Sequence, residues 1–158
     1  MRVRPREDAD LPAVERFLAE QESLRIARLG RLERALDHPA LVAADESGHL
    51  AGVLTFLETG RECEILTLHA ARQWARTGSA LVEALERLAG EQGWQRLWVL
   101  TTNDNVDALR FYQRRGFRLV DLHPGAVDAA RDELKPEIPR AGAYGIPLRD
   151  ELVLEMVL

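Results

Sequence analysis

One helix with clear ends stands in the second half of the chain, in the stretch NVDALRFYQRRGF, residues 105–117. Asn105 precedes it as a typical N-cap, and Gly116 follows it where a left-handed C-cap is favoured. Apolar runs stand on both sides of this helix, RLWVLTT at 96–102 and FRLVDL at 117–122, and both are typical of strands. The alternation of strand and helix predicts crossover connections and some parallel pairing.

The same alternation begins one helix earlier, in QWARTGSALVEAL, residues 73–85. The apolar spacing predicts a helix from Gly78 to about Gly90. At its start, the N–H groups of Thr77, Gly78 and Ser79 have no partners within the helix, and the helix dipole favours a negative charge there. Two interpretations stay open at this point. The stretch is a phosphate cradle, or it is an ordinary core helix capped by Thr77 or Ser79.

The remaining elements follow from hydrophobic period and turn chemistry. An N-terminal strand is followed by a helix with an Asp cap in DADLPAVERFLAEQ, residues 8–21. Residues 23–36 show apolar side chains at helical spacing and predict one or two helices, with Gly30 inside the pattern. Turn residues 46–48 predict a hairpin between two extended runs, and 61–69 predict a further strand. Residues 123–149 predict a long connection with one short helix, and 151–158 predict the final strand.

Composition limits the classes of protein that this chain can represent. With 158 residues, 46% of them hydrophobic and 30% charged, it fits a single domain over 1–158. A net charge of -5 argues against a nucleic-acid partner. No apolar run is long enough to span a bilayer, the N-terminus lacks a signal-peptide pattern, and the only cysteine, Cys63, has no partner for an internal disulfide. These features predict a cytoplasmic protein with no membrane partner.

Two motifs in order resemble those of the GNAT family of acyl-CoA-dependent N-acyltransferases. Residues 105–117 match N-x-x-A-x-x-x-Y-x-x-x-G-F, and residues 73–78 match [Q/R]-x-x-G-x-[G/A], except that Arg76 stands at the first glycine. The resemblance covers nearly the whole chain. It implies an α/β (α+β) fold with a mixed, largely antiparallel central sheet of about seven strands flanked by helices. It also implies a splay between the fourth and fifth strands, residues 62–68 and 98–101.

The resemblance further implies acetyl-CoA as co-substrate and no metal. Residues 66–68 would pair through their backbone with the pantetheine arm, as an added strand does, and an N–H there would stabilise charge on the thioester oxygen. Arg76 either pairs with a phosphate or crowds the loop. The expected coenzyme A contacts are Leu66, Thr67, Leu68, Gln73, Trp74, Ala75, Arg76, Thr77, Gly78, Ser79, Asn105, Ala108 and Tyr112.

The chemistry of amide formation needs two proton transfers. A primary amine is mostly ammonium at neutral pH and must lose a proton before it attacks. Glu62 and Glu64, two apart on a strand, share one face and are the candidate bases; the alternative is that both are simply solvated. Tyr112 stands at the family's tyrosine position and would protonate the leaving thiolate. The alternative is a core aromatic residue, since Phe111 and Tyr112 both follow Ala108 at helical spacing.

Other reactive residue types receive structural interpretations. His69 and His123 have no second ligand at the spacing of a metal site. Cys63 lies between two glutamates, whose charges raise its pKa and make it a poor thiolate.

The resulting hypothesis is an N-acetyltransferase that moves the acetyl group from acetyl-CoA to an amine by direct attack. The acceptor is an amine of a small molecule, an amino acid or a peptide N-terminus, and residues 20–36 and 123–149 are expected to form its walls. The alternatives are a non-catalytic acyl-CoA-binding or sensory module on the same scaffold, and a structural protein that shares only the topology. A homodimer would form through the apolar final strand if that strand lies at a sheet edge.

Overall fold

The computed structural model describes residues 1–71 and 76–158, and these fall into two compact units. The first unit comprises Met1–Ile26 and Arg34–Leu97, and the second comprises Ala27–Glu33 and Trp98–Leu158. In chain order the elements are β1 (Arg2–Pro5), α1 (Leu11–Glu20), β2 (Arg25–Arg28), β3 (Arg31–Arg34), β4 (Ala40–Ala44), β5 (Leu50–Thr59), β6 (Glu62–Ala70), α2 (Thr77–Gln92), β7 (Arg96–Thr102), α3 (Val106–Arg114), β8 (Arg118–His123), α4 (Ala126–Glu133) and β9 (Glu151–Val157).

The first unit is a sheet with a helix on each face. Its strands lie in the order β1-β4-β5-β6, and each neighbouring pair is antiparallel. Val53 of β5 packs in a buried cluster with Val14 and Leu18 of α1. The preceding residue, Gly52, lies against Leu81 of α2. Because successive strand residues point to opposite faces, α1 and α2 cover opposite sides of this sheet.

The second unit contains the strand order β7-β9-β8, and β8 and β9 are antiparallel. The final strand, β9, therefore lies between two others and is not an edge. The condition set for a homodimer through that strand is not met, because β8 occupies the edge position.

The α/β class, with a largely antiparallel sheet of about seven strands flanked by four helices, is confirmed. None of the helices in the described ranges combines the length and apolar composition needed to cross a membrane. The splay between the fourth and fifth strands and the single domain over 1–158 stay predictions.

The helical prediction for residues 23–36 is wrong, because this segment folds as the hairpin of β2 and β3. Leu29 and Gly30 connect the strands with φ angles of 46° and 74°. Two successive positive φ angles are the signature of the two-residue turn that matches the twist of a hairpin. The apolar residues that imitated a helical period include Leu29 and Leu32, which are exposed.

The aspartate at the start of α1 acts differently from the predicted cap. Asp10 occupies the N-cap position, but its side chain does not cap the helix. Instead its carboxylate accepts two hydrogen bonds from the Arg4 guanidinium, at 2.6 and 2.9 Å, and one from the Glu7 backbone N–H at 2.8 Å. The carboxylate therefore links β1 to the turn that precedes α1, and the bond to Arg4 lowers the pKa of Asp10 to about 2.

A buried arginine holds the long connection between β8 and β9. Arg131 of α4 is 7% exposed, and its guanidinium donates to the carbonyl oxygens of Ile138, Pro139 and Leu148 at 2.8 to 2.9 Å. It also pairs with Asp128 at 2.9 Å. Five donors in a rigid fork allow one side chain to bind several carbonyl groups at once. The connection predicted at residues 123–149 is therefore held in place by hydrogen bonds from a side chain of its own helix, α4.

We predict that Gly52→Ala destabilises the protein by about 1–3 kcal/mol, because the added methyl group overpacks the contact between β5 and α2. A Cβ at this position would lie 2.6 Å from Cγ2 of Thr77 and 2.9 Å from the carbonyl oxygen of His69. Urea unfolding of the variant measures the effect.

Gly90→Ala is the matched control, since a Cβ there meets nothing within 4 Å and the position is inside α2. This control should gain about 0.5–1 kcal/mol from helix propensity. Equal stability changes for the two variants would contradict the close packing at Gly52.

Candidate active site

The centre of β6 carries an irregularity at the predicted pantetheine-binding residues. Thr55 of β5 pairs with Thr67, whereas the next residue, Phe56, pairs with Ile65. Leu66 is therefore an extra residue without a direct partner, which is a β-bulge. A bulge interrupts the ladder and redirects the local backbone groups, and this one lies within the three residues expected to bind a ligand as an added strand.

The residues after the bulge are firmly held. Thr67 is 6% exposed, and its hydroxyl lies 2.7 Å from the hydroxyl of Thr55. Leu68 is half-buried and pairs with Leu54. The bulge is thus a fixed feature of a well-paired strand rather than a frayed end.

Arg76 lies at the N-cap of α2 with φ 57° and ψ 14°, the left-handed conformation that glycine adopts most readily. Its side chain makes no capping hydrogen bond, and Ala80 N–H donates to the Arg76 carbonyl oxygen at 3.0 Å. Thr77 is buried, and its hydroxyl donates to the sulfur of Met1 at 3.3 Å. Neither the Arg76 nor the Thr77 side chain therefore caps the first turn of α2. The backbone N–H groups of that turn have no acceptors within the helix.

Three of the expected coenzyme A contacts, Gln73, Trp74 and Ala75, lie outside the described residues. Gly78 and Ser79 belong to the first turn of α2 and are partly exposed.

The two candidate bases occupy different environments at the start of β6. Glu62 is exposed, and its carboxylate pairs with the Arg96 guanidinium at 3.2 Å. Glu64 is 2% exposed and pairs across the ladder with Leu57. Both precede the bulge, so their strand positions share a face. The carboxylates of Glu62 and Glu64 therefore differ in their exposure to bulk water. Glu62 is solvated and ion-paired, and only Glu64 is shielded.

The second motif forms α3 as predicted. Asn105 caps it, and its side-chain oxygen accepts a hydrogen bond from Ala108 N–H at 3.1 Å. Tyr112 is 5% exposed, and its ring makes edge contacts with Phe111 and Phe117, each with centroids 5.2 Å apart. Burial raises the pKa of Tyr112, so the phenol stays protonated well above neutral pH. Both interpretations of this tyrosine, core aromatic and proton donor, are compatible with this environment.

The interpretation of Cys63 as a poor thiolate is confirmed, although burial contributes more than charge. Burial, with the nearby charges of Glu58 and Glu64, raises the pKa of Cys63 to about 12. His69 bonds to the Ser23 hydroxyl through Nε2 at 2.7 Å, and burial lowers the pKa of His69. Within residues 1–71 and 76–158, no group of three or more His, Cys, Asp or Glu side chains is arranged to hold a metal ion.

The sequence reasoning missed a pair of side chains at the end of β8 and the start of β9. His123 pairs across the ladder with Glu151, and its Nδ1 lies 3.8 Å from Oε2 of Glu151. Its Nε2 lies 3.2 Å from Asp121. Burial raises the pKa of Glu151, whereas the charges of His123 and Arg28 oppose that shift. The available signal was an acidic residue at the head of a largely apolar final strand.

These features define a class of α/β protein. Its bulged antiparallel strand, here β6, precedes a helix, α2, whose N-cap residue makes no side-chain cap. A later helix, α3, is capped by asparagine. The sequence profile of the Acetyltransferase (GNAT) family matches residues 6–117. The chain therefore belongs to the GNAT acetyltransferase family, and this membership implies acyltransferase activity.

Individual relatives and solved structures are similar to this chain. The uncharacterized protein YdhI of Bacillus subtilis (strain 168) is 40% identical over 116 residues, which cover 73% of this chain and 72% of that protein. A Bacillus subtilis acetyltransferase solved in complex with CoA superposes with a TM-score of 0.72 at 19% identity, covering 99% of this chain and 98% of that chain. A GNAT family acetyltransferase from Elizabethkingia anophelis with acetyl-CoA bound gives a TM-score of 0.71 at 18% identity, covering 99% and 97%. The two solved structures show a shared fold.

Proposed function

We propose that the protein transfers the acetyl group of acetyl-CoA to a primary amine by direct attack of the amine nitrogen on the thioester carbonyl. The observation that carries this proposal is the bulge at Leu66 in a strand that precedes α2, whose N-cap residue Arg76 makes no capping hydrogen bond with its side chain. Two structural neighbours were solved with CoA or acetyl-CoA bound, which supports acetyl-CoA as the acyl donor.

The described residues fit coenzyme A in two places. The interrupted ladder at Leu66 offers main-chain groups to an extended ligand, and Thr67 and Leu68 continue that strand. The N–H groups of Thr77, Gly78 and Ser79 stand at a helix N-terminus, where the dipole favours a phosphate. In the second unit, Asn105, Ala108 and Tyr112 are proposed as further contacts. Acetyl-CoA supplies the activated acetyl group.

The protein's own groups then move two protons. Glu64 takes a proton from the ammonium form of the acceptor, directly or through water, and so provides the neutral amine that attacks. Tyr112 donates its phenolic proton to the sulfur as the C–S bond breaks, so that the thiol leaves neutral. The attacking nitrogen loses its second proton as the amide forms, and this proton restores the Tyr112 phenol through solvent. A main-chain N–H at the bulge stabilises negative charge on the carbonyl oxygen. Glu62 remains in its surface pair with Arg96.

We expect Tyr112→Phe to lower kcat by about 10²-fold, the lower end of what general acid–base catalysis contributes, while the fold is retained because phenylalanine keeps the aromatic contacts. Release of free coenzyme A thiol across an amine panel gives the rate. Tyr144→Phe is the matched control, because Tyr144 is 71% exposed and donates only to Asp107. An unchanged kcat in Tyr112→Phe would assign Tyr112 to the core alone.

Glu64→Gln and Glu62→Gln form a matched pair that identifies the base. Glu64→Gln removes the proposed proton acceptor and should lower kcat/KM by about 10²-fold, with the deficit shrinking as rising pH deprotonates the amine in solution. Glu62→Gln only breaks an exposed ion pair and should change kcat/KM less than twofold. The reverse order of effects would move the base to Glu62.

Arg76→Gly separates the two possible roles of this side chain. Glycine relieves the positive φ and should raise the free energy of unfolding by about 1 kcal/mol. If Arg76 pairs with the pyrophosphate, as we propose, calorimetry should show weaker coenzyme A binding and unchanged binding of pantetheine, which lacks that group. Tighter coenzyme A binding would mean that Arg76 only crowds the loop.

The same assays separate catalysis from binding alone. A protein that binds acetyl-CoA and releases no thiol with any amine would be a non-catalytic acyl-CoA-binding module. A protein that binds no coenzyme A at all would contradict both readings.

A further inference from the structure

Strand β8 is an edge strand whose side chains are exposed along most of its length. Within the described residues it pairs only with β9, at the end of the strand order β7-β9-β8. It carries three apolar side chains, Leu119, Val120 and Leu122, which are 46 to 50% exposed. An edge of this kind presents unpaired backbone groups together with apolar side chains, and both favour pairing with another strand.

Exposed apolar side chains are concentrated in the second unit. Among the residues that the structure describes, ten large apolar side chains are exposed, and nine of them belong to this unit. Three of the nine lie in β8. Single exposed apolar residues are ordinary, whereas several together mark an interaction surface. The concentration on one short edge strand therefore indicates that β8 meets a partner.

A bulge in β8 places two leucines on one face of the sheet. Val120 is an extra residue without a direct partner in β9. Before it, Leu119 pairs with Leu154, and after it, Leu122 pairs with Leu152. Because these two β9 residues are two apart on one strand, their partners on β8 share a face. Without the extra residue, positions 119 and 122 would point to opposite faces.

The backbone groups of the same two leucines point away from β9. The Leu122 N–H donates to the carboxylate of the preceding residue, Asp121, at 2.8 Å. Antiparallel strands alternate between hydrogen-bonded and non-hydrogen-bonded pairs, and this bond marks the pair of Leu122 with β9 as the second kind. Leu119 pairs two residues further along β9 and is of the same kind. The N–H and C=O groups of both leucines are therefore turned to the free edge.

We propose that β8 pairs with β8 of a second copy of this chain, antiparallel about a two-fold axis between Val120 and Asp121. Leu119 then lies opposite the partner's Leu122, and the axis repeats this pair. Since both leucines turn their backbone groups outward, each pair exchanges two hydrogen bonds. The Leu122 N–H exchanges its bond to Asp121 for the carbonyl oxygen of the partner's Leu119. This proposal rests on the fold and not on the proposed function.

The charges of β8 make a second copy the matching occupant. Arg118 and Asp121 pair with Glu155 and Val153 of β9, so they share the face opposite the leucines. In the proposed register Arg118 is diagonal to the partner's Asp121, within reach of a long side chain. Directly opposite Arg118 is the partner's His123, whose Nε2 lies 3.2 Å from Asp121 of its own strand. Each Asp121 carboxylate thus lies beside two basic side chains, and the axis repeats the arrangement.

Sedimentation velocity of the full chain, up to about 1 mM, measures the association, because even a weak complex forms at that concentration. We expect the 17.8 kDa chain to convert to a species of twice that mass as the concentration rises. A chain that stays monomeric throughout would overturn the proposal and would leave the proposed acetyl transfer untouched.

A charge swap at the leucine pairs tests the register. Leu119→Lys and Leu122→Glu each remove both leucine pairs, and each should raise the dissociation constant of the dimer about tenfold or more. The double variant Leu119→Lys/Leu122→Glu places a lysine opposite a glutamate in both pairs. It should restore association, and added salt should weaken that association. An equimolar mixture of the single variants should associate more tightly than either alone, since one ion pair and one leucine pair form.

Val157→Lys is the matched control, because Val157 is 76% exposed at the end of β9 and lies outside β8. It should leave the dissociation constant unchanged, and thermal unfolding verifies that each variant is folded. Arg118→Glu tests the same register independently of the leucines, since it places a second carboxylate beside the partner's Asp121 and should weaken association severalfold. If the control weakens the dimer as much as Leu119→Lys does, or if the double variant stays monomeric, the proposed pairing of β8 is wrong.

Discussion

The antiparallel pairing of β5 with β6 is the interaction on which the first unit depends. It runs from Thr59 and Glu62 to Gly52 and Ala70, and it shifts register once, at Leu66. Because the pairing resumes on both sides, the bulge is fixed by two stretches of ordinary ladder and cannot slide along the strand. The same ladder places Gly52 against the first turns of α2. The register of β5 and β6 therefore fixes both the position of the bulge and the position of the first turns of α2.

The second unit depends on hydrogen bonds from side chains to the backbone, because much of it is a long connection without regular structure. Connections of this length are ordered only when their backbone groups find partners. Arg131 provides three such bonds, and the Asn103 side chain provides three more, accepting from the backbone N–H groups of Arg149 and Asp150 and donating to Pro147. The connection is thus anchored at both α4 and the end of β7.

Sequence patterns predicted the elements whose hydrophobic pattern extends over many residues and whose ends carry capping or turn residues. The capped helix after Asn105, the hairpin at 46–48 and the apolar final strand are examples, and the two motifs identified the family. The prediction failed at residues 23–36, because four apolar residues imitated a helical period while Leu29 and Gly30 adopted positive φ angles. The bulge at Leu66 was invisible, since it depends on the partner strand. Arg131 and Glu151 could not be distinguished from exposed charges, because burial is set by tertiary packing.

Two of the buried charges of the second unit, Arg131 and Glu151, are compensated in different ways. The Arg131 guanidinium makes four hydrogen bonds with distances of 2.8 to 2.9 Å, so its desolvation is compensated within the protein. Glu151 is equally buried, yet its ion-pair contact with His123 is 3.8 Å long and it faces a cavity. Burial raises the pKa of Glu151, and the positive charges of His123 and Arg28 oppose that shift. Arg131 therefore holds backbone carbonyl groups of the connection in place, whereas Glu151 is balanced by charged side chains of the same unit.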